Sequence, residues 1–495
     1  MTSRWTQPPR VAIVGGGLAG LAAGCALADT GLQVTLFERR PYLGGRASSY
    51  EHPGTGEVVD NCQHVLLGCC TNLIQFYQRL GVQDKIRWYD ELTFLEPGGR
   101  ASVIRASSLP APLHTAPAFL RASCLQLKDK LAIAGAMAAL APMTPTDRGD
   151  SFLGWLRRHG QTAGAIDRFW KTVLVSALNE SLDRVSVPCA AQVMRESFLK
   201  SAAAGRMGVP TVPLSDLYSA AGDYIQARGG EVRYRTGVES FQADPASVKL
   251  QATGKEHDYD FAVLAVSSDV LPRLLPDTSA SQPLRQALKH FETSPITGIH
   301  LWFDRQVTDL DHAVLLDRTI QWMFHKSKLL NVAPAPRLSP GHPAPETEQC
   351  NSAGGEKGIP SVPDNGSYLE LVVSASRSLV EKPRQEIVDL ALAELREFFP
   401  EARKASLVKA TVIKEVHATY SARPGVDVHR PHPQTVWPRV FLAGDWTATG
   451  WPATMEGAVR SGYLAAESLA HVAGVRDASF LVRDLPATGF MRLFR

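Results

Sequence analysis

The feature that most constrains this chain is a glycine-rich turn between a short apolar strand and a helix. Residues 11–14 (VAIV) predict a buried strand, and the spacing GxGxxG follows it directly. Gly15 permits the tight turn, Gly17 lets the backbone approach a pyrophosphate, and Gly20 lets helix and strand pack closely. Glu38 ends the next strand, where its carboxylate can accept hydrogen bonds from an adenosine ribose. The segment therefore predicts a dinucleotide-binding βαβ unit.

Composition excludes several other classes of protein. The chain has 495 residues, of which 44% are apolar, so it can form two or three domains with a large core. Its 52 Lys and Arg residues nearly balance 49 Asp and Glu residues, which argues against nucleic acid as a partner. Seven cysteines without a CxxC pair suit a reducing compartment, so we expect a cytoplasmic protein. Residues 11–28 lack charge, but their glycines favour a turn and helix over a membrane span, and no cleavable signal is expected.

Three further segments indicate which dinucleotide is bound. The run at residues 38–47 (ERRPYLGGRA) resembles the second flavin motif of the amine oxidase and phytoene desaturase superfamily. A C-terminal match comprises residues 440–445 (VFLAGD) and 450–458 (GWPATMEGA), and residues 230–239 resemble the middle FAD segment. The resemblance implies FAD as the cofactor and an α/β fold with a discontinuous Rossmann-like FAD-binding domain. The residues that it implies for cofactor binding, besides the four named above, are Gly45, Arg46, Val238, Gly444, Asp445, Met455 and Glu456.

The domain boundaries follow from where these motifs lie. We assign residues 1–105, 205–275 and 405–475 to the FAD-binding domain. Residues 106–204, which have helical patterning, and 276–404, which are rich in strand-forming residues, are expected to form an α+β substrate domain with a helical cap. Residues 331–366 hold seven prolines and five glycines and are interpreted as a flexible insertion, and residues 476–495 form a C-terminal tail.

A narrower resemblance comes from the segment after the second flavin motif. Residues 60–73 (DNCQHVLLGCCTNL), 208–215 (GVPTVPLS) and 294–300 (SPITGIH) are similar to hydroxysqualene dehydroxylases of bacterial hopanoid and squalene synthesis. That family implies reduction of hydroxysqualene to squalene, with an isoprenoid lipid as substrate and squalene-pathway enzymes as partners. An allylic alcohol leaves as water once protonated, and reduced flavin then delivers a hydride, so the site needs a proton donor and a dry apolar channel.

His64 and Asp60 are the catalytic candidates. The imidazole of His64 can hold a proton near neutral pH, and Asp60 either orients it or only caps a turn. The simpler interpretation is that His64 only forms a hydrogen bond with the backbone or with the flavin. Cys62, Cys69 and Cys70 lie nearby, but their spacing matches no usual zinc pattern, so no metal is predicted.

Three other functions stay open. A polyene desaturase would use the same scaffold with oxidised FAD, and the sequence does not reveal the direction of electron flow. An amine oxidase is disfavoured for two reasons. That family commonly places a lysine near the flavin on a strand that resembles residues 295–301, and this segment contains none. Thr454 also stands where that family often has an aromatic residue. A flavin-bearing subunit that only presents lipid to a synthase is the alternative outside the enzymes.

The expected substrate implies contact with a membrane surface. The tail sequence GFMRLFR at residues 489–495 and the apolar region around residues 119–141, interrupted by Arg121, Lys128 and Lys130, suit an anionic bilayer interface. We therefore expect peripheral binding to the inner face of the cytoplasmic membrane. The competing interpretation is a disordered tail and a core helix.

Overall fold

The computed structural model describes residues 7–142, 146–330 and 366–494, so the predicted insertion at 331–366 lies, except for Gly366, outside the described residues. The strands of the described part are β1 (Arg10–Val14), β2 (Gln33–Phe37), β3 (Ser49–Glu51), β4 (Val58–Asp60), β5 (Leu66–Leu67), β6 (Ile86–Tyr89), β7 (Glu91–Leu95), β8 (Ala101–Arg105), β9 (Met207–Pro210), β10 (Glu231–Arg233), β11 (Val238–Ala243), β12 (Val248–Ala252), β13 (Lys255–Tyr259), β14 (Phe261–Leu264), β15 (Thr293–Phe303), β16 (His312–Leu315), β17 (Trp322–His325), β18 (Ser367–Ser374), β19 (Leu407–Tyr420) and β20 (Val440–Leu442). Its α-helices are α1 (Leu18–Asp29), α2 (Thr71–Leu80), α3 (Ala116–Arg121), α4 (Leu127–Leu140), α5 (Phe152–Arg158), α6 (Ala163–Ala165), α7 (Lys171–Leu178), α8 (Val187–Met194), α9 (Leu214–Gln226), α10 (Leu271–Leu274), α11 (Gln282–Leu288), α12 (Lys326–Leu329), α13 (Arg377–Val380), α14 (Arg384–Phe398) and α15 (Met455–Ala473).

A five-stranded parallel sheet carries the N-terminal glycine motif. Its strand order is β10-β2-β1-β14-β20, so strands from three distant parts of the chain lie side by side. Strands of a parallel sheet are covered on both faces, which explains the unbroken apolar runs VAIV and FAVL. Helix α1 packs against α15, and nearly all of its residues are buried. This is the discontinuous Rossmann-like arrangement.

A seven-stranded mixed sheet is the second large sheet of the fold. Its order is β19-β15-β18-β17-β16-β7-β8, and α14 packs beside β15 and β19. Strands β7, β8 and β19 lie in the ranges 1–105 and 405–475, which the sequence analysis assigned to the FAD-binding domain. Their ladder hydrogen bonds place them in this second sheet instead, with β19 on β15 and β7 on β16. Local patterning identifies a strand but not its partner, so these boundaries needed the structure.

Helices α3 to α8 form a cap between the two sheets, and the C-terminal tail packs against it. The amide of Phe490 donates to the carbonyl of Ala111 at 2.8 Å, the amide of Thr488 donates to Lys200, and Met491 is buried. The tail is therefore ordered in the described part. No helix among residues 7–142, 146–330 and 366–494 is long and apolar enough to cross a bilayer.

Candidate active site

A cavity of about 790 Å³ lies where the parallel sheet, the cap and the seven-stranded sheet meet. It brings together residues that are up to 444 positions apart, as the span from Val14 to Ala458 shows. Gly20 does not line the cavity; a Cβ at this position would stand 1.9 Å from the carbonyl oxygen of Gly15, so Gly20 serves helix packing. Individual contacts with a cofactor stay predictions. The predicted binding residues in the wall are Gly15, Gly17, Glu38, Gly45, Arg46, Val238, Gly444, Asp445, Met455 and Glu456.

At one end of the cavity the N-terminus of α1 points its amides into open space. Gly17 is the N-cap and offers no side chain to those amides. The Glu38 carboxylate accepts hydrogen bonds from the amide of Gly16 at 2.8 Å and from that of Arg40 at 2.7 Å. These bonds fix Glu38 at the edge of the cavity and leave further lone pairs for a ribose. A helix N-terminus with free amides is an anion site suited to a pyrophosphate.

The two glycine motifs cross each other at close range. Gly44 and Gly45 have φ values of +104° and +63°, in the region that favours glycine, and the amide of Gly44 donates to the carbonyl of Gly16. A Cβ on Gly45 would stand 2.8 Å from the Cα of Gly17. Side chains at this crossing would fill the cradle in which a dinucleotide backbone lies. The residues present therefore fit FAD.

Arg46 joins the two ends of the chain across the site. One Nη donates to Asp445 Oδ1 at 2.6 Å and the other donates to the carbonyl of Ala418 at 3.1 Å. Asp445 follows Gly444, whose φ is +151° and where a Cβ would collide with the Trp446 ring. The ion pair holds the second flavin motif against the loop that follows β20.

Glu456 has a structural task that limits its role in cofactor binding. Its carboxylate accepts hydrogen bonds from the amides of Asn72 and Leu73 and from the Asn72 side chain, and it pairs with Arg460. Burial raises the pKa of this carboxyl above its ordinary value even though these partners oppose it. The side chain thus ties the first turn of α2 to that of α15, and only the rest of Glu456 faces the cavity.

Beyond the glycine motifs, apolar side chains predominate in the cavity wall. The cap helices line one side and the seven-stranded sheet lines the other. Such a wall binds hydrocarbon through burial, worth about 25 cal/mol per Å² of apolar surface. Representative residues are Phe119, Ile133 and Met137 from the cap, and Phe94, Val314 and Phe324 from the sheet.

His64 lies in the cavity wall, as the sequence analysis expects for a residue near the ring. Its Nδ1 is 2.8 Å from the carbonyl oxygen of Cys62, so this nitrogen carries a proton and donates it. Burial lowers the pKa of His64 below its ordinary value of 6.5, and the bond to Cys62 offsets this only in part. In the neutral ring Nε2 is then a hydrogen-bond acceptor.

Asp60 does not orient His64, and that hypothesis is corrected here. Its carboxylate lies behind the cavity wall and bonds to Lys326 Nζ at 2.6 Å, to Ser49 Oγ and to the amide of Leu214. Burial opposes ionisation, but Lys326 outweighs it, and the pKa of Asp60 falls below its ordinary value. Lys326, the partner of Asp60, lies 266 residues further along the chain, so no local sequence pattern reveals this pair.

Lys326 belongs to a buried ionic cluster that the sequence analysis missed. The cluster consists of Asp60, Lys326 and Glu370; Lys326 Nζ is 3.4 Å from Glu370 Oε2 and also donates to Gln63 Oε1 at 2.8 Å. All three charged side chains are at most 4% exposed. Burial raises the pKa of Glu370 to about 7, and Lys326 offsets this only in part. The signal of this cluster in the sequence is Glu370, an acidic residue inside the apolar run YLELVVS at residues 368–374. The cluster supports the segment that presents His64.

The Cys62 thiol beside His64 is held in its protonated form. Burial raises the pKa of Cys62 well above its ordinary value, and the charges of Glu370 and Glu415 raise it further. Across the described ranges, no group of three or more His, Cys, Asp or Glu side chains is placed to hold a metal ion.

Fold and cavity together define a flavin-dependent oxidoreductase with an apolar substrate site. The family model for flavin-containing amine oxidoreductases matches residues 18–470, and the chain belongs to that family. It binds FAD and is an enzyme of the oxidoreductase class.

Individual relatives are similar over nearly their whole length. The 15-cis-phytoene desaturase of Synechococcus elongatus is 28% identical, the match covering 93% of this chain and 95% of that protein. The zeta-carotene desaturase of Synechocystis sp. is 26% identical over 93% of this chain and 97% of its own. Cyclohexylamine oxidase from Brevibacterium oxydans has the same fold, with a TM-score of 0.62 at 17% identity over 94% of this chain and 99% of its own.

Proposed function

We propose that this enzyme reduces hydroxysqualene to squalene. The observation that carries the proposal is the largely apolar cavity that adjoins the glycine cradle, because it suits an uncharged isoprenoid chain held with few polar contacts. The resemblance at residues 60–73 supports the choice of substrate.

In this reaction the protein performs three tasks. The apolar wall holds the chain and excludes water, which would otherwise capture a carbocation. A side chain in the wall protonates the allylic hydroxyl, so that water leaves with the electron pair of the C–O bond. Reduced FAD supplies a hydride to the resulting allylic cation. Summed over the steps, alcohol, proton and hydride become alkene and water.

A second candidate is desaturation of a polyene, in which electrons flow in the opposite direction. The names of the relatives favour it, since those proteins are phytoene and zeta-carotene desaturases. Amine oxidation is less well supported. At Gly298 on β15 a Cβ would stand 3.2 Å from the carbonyl oxygen of Asn61, so this strand position has little room for a lysine.

The discriminating experiment supplies both substrates to purified holoenzyme. Under anaerobic conditions with chemically reduced FAD, we expect hydroxysqualene to yield squalene and the flavin to become oxidised, as followed by mass spectrometry and absorbance. Phytoene with oxidised FAD should stay unchanged. Conversion of phytoene without conversion of hydroxysqualene would establish the desaturase instead. Failure of the isolated chain to turn over either compound would favour the lipid-presenting subunit.

We also propose that the enzyme collects its substrate at a membrane surface, on the inner face of the cytoplasmic membrane. A set of exposed apolar side chains, here called the mouth face, lies on the cap and tail. Leu113 both belongs to this face and lines the cavity, and Lys130 Nζ bonds to the carbonyl of Leu120, which joins α4 to α3. The mouth face comprises Leu109, Leu113, Leu120, Leu127, Leu131, Phe490 and Leu493.

The double variant Leu127→Ser, Leu131→Ser tests the mouth face. These leucines are 68% and 66% exposed, so the fold should tolerate the change, whereas a leucine that enters a bilayer contributes about 1.5–3 kcal/mol when fully buried. We expect binding to anionic vesicles to weaken at least about tenfold. Val428→Ser is the control, since Val428 is 80% exposed and is not part of the mouth face. Equal vesicle binding by all three proteins would reject the membrane model. Binding that does not depend on the salt concentration would reject its electrostatic part. Association with other squalene-pathway enzymes stays a prediction.

A further inference from the structure

The cavity contains five carboxylates, and four of them are already engaged. Glu38 accepts the amides of Gly16 and Arg40, and Asp445 pairs with Arg46. Glu196 pairs with Lys200 at 2.7 Å, and Glu456 caps α2. The fifth, Glu415, has no hydrogen bond or ion pair with any described residue.

Glu415 occupies a defined place in the wall. It lies on β19 directly opposite Ile296 of β15, and both residues line the cavity. When ionised, it interacts electrostatically with Arg46 of the flavin motif and with the Cys62 thiol beside His64. The carboxyl group is therefore within electrostatic range of both the cofactor cradle and the His64 segment.

His64 is poorly suited to deliver a proton from this wall. Its Nδ1 proton is committed to the carbonyl of Cys62, and its Nε2 gains a proton only when the ring becomes cationic, which burial disfavours. A carboxylic acid needs no positive charge in order to donate, which suits it to a cavity filled by hydrocarbon.

We infer that Glu415 is the general acid that protonates the leaving hydroxyl group; this role rests on the proposed function. The carboxylic O–H transfers its proton to the substrate oxygen, and the C–O bond breaks with its electron pair on the departing water. The allylic carbon then takes the hydride of the reduced cofactor, and the carboxylate that remains regains a proton from solvent after product release. His64, in its neutral form, accepts a hydrogen bond from the hydroxyl and orients it.

The test compares Glu415→Gln with wild-type holoenzyme in an anaerobic single turnover with reduced FAD and hydroxysqualene. Loss of a general acid typically costs about 10²–10⁴-fold in rate, and we expect a decrease of at least about 100-fold in flavin oxidation. Glu415→Asp should restore part of the rate. Glu401→Gln, which changes an exposed glutamate of a surface pair with Lys404, should behave as wild type.

Two readouts separate chemistry from structure. Binding of hydroxysqualene to the oxidised holoenzyme, followed through the flavin absorbance, should be unchanged in Glu415→Gln. In infrared difference spectra of that binding step, a carboxylic acid band of wild type should be missing from the variant. Equal turnover by wild type and Glu415→Gln would overturn the role of Glu415 alone, and a selective loss in His64→Gln would assign the donor to His64. A wild-type enzyme inert toward hydroxysqualene would overturn the proposed function and this role with it.

Discussion

Replacing Gly17 with leucine is expected to yield a folded protein without flavin. A Cβ at Gly17 meets only the Cα of Gly45 at 3.8 Å, an ordinary contact, so the polypeptide itself has room for a side chain at its base. The remainder of the leucine would occupy the space in front of the α1 amides, where the pyrophosphate lies in this fold. The measurement is the 450 nm region of the absorbance spectrum together with FAD released on denaturation, and we expect the purified variant to contain about one-tenth or less of the wild-type FAD.

Gly20→Leu serves as the contrasting control. Its Cβ would collide with the carbonyl oxygen of Gly15 at 1.9 Å, so this variant should lose its fold along with the flavin. Circular dichroism distinguishes the two outcomes. A Gly17→Leu protein with full FAD content would show that the cofactor lies elsewhere in the cavity.

Lys326→Met is expected to cause a large loss of stability without removing a cofactor-binding residue. The change leaves Asp60 without its buried cation and removes the cation beside Glu370, and breaking a buried ion pair by deleting one partner costs about 3–5 kcal/mol. Chemical denaturation of the holoenzyme measures the change in the free energy of unfolding. Lys328→Met, two residues further on, removes a partly exposed lysine paired with Asp309 and should cost less than about 1 kcal/mol. Equal costs for the two variants would show that the cluster contributes nothing.

Glu370→Gln should partly rescue Lys326→Met, because an amide needs no buried counter-charge.

In the folded protein the pKa of Glu370 is raised to about 7 from 4.5, so its contribution to stability is complete below pH 4.5 and is lost as the pH rises through about 7. Glu370→Gln alone should therefore gain stability relative to wild type between pH 4.5 and 7, with a constant difference above that. A difference independent of pH across this window would contradict the assignment.

The sequence revealed those parts of the molecule whose determinants are local. The strand, turn and helix at residues 11–29 are encoded by one contiguous run of the sequence. The apolar run at residues 368–374 is likewise β18. These elements depend on hydrophobic periodicity and glycine geometry, which neighbouring residues encode.

Features that depend on long-range pairing could not be read in this way. Asp60 drew attention because it precedes His64, but its partner Lys326 follows a strand in another sheet. Glu415 lies on β19, a strand that no motif marked, and its position in the cavity depends on how β19 pairs with β15. Which side chains converge is a property of strand order, and strand order is decided by the whole core.

The parallel sheet also has a consequence for how the protein is made. Its central strand β1 precedes β20 and the N-terminus of α15, which complete the flavin site, by more than 400 residues, so these later elements leave the ribosome long after β1. During most of its synthesis the chain therefore has no finished cofactor site, while the cap and the mixed sheet already expose their apolar inner surfaces. Flavin capture is therefore a late event in biogenesis, and a chain whose synthesis stops before residue 440 is without the stabilisation that bound cofactor gives the finished protein.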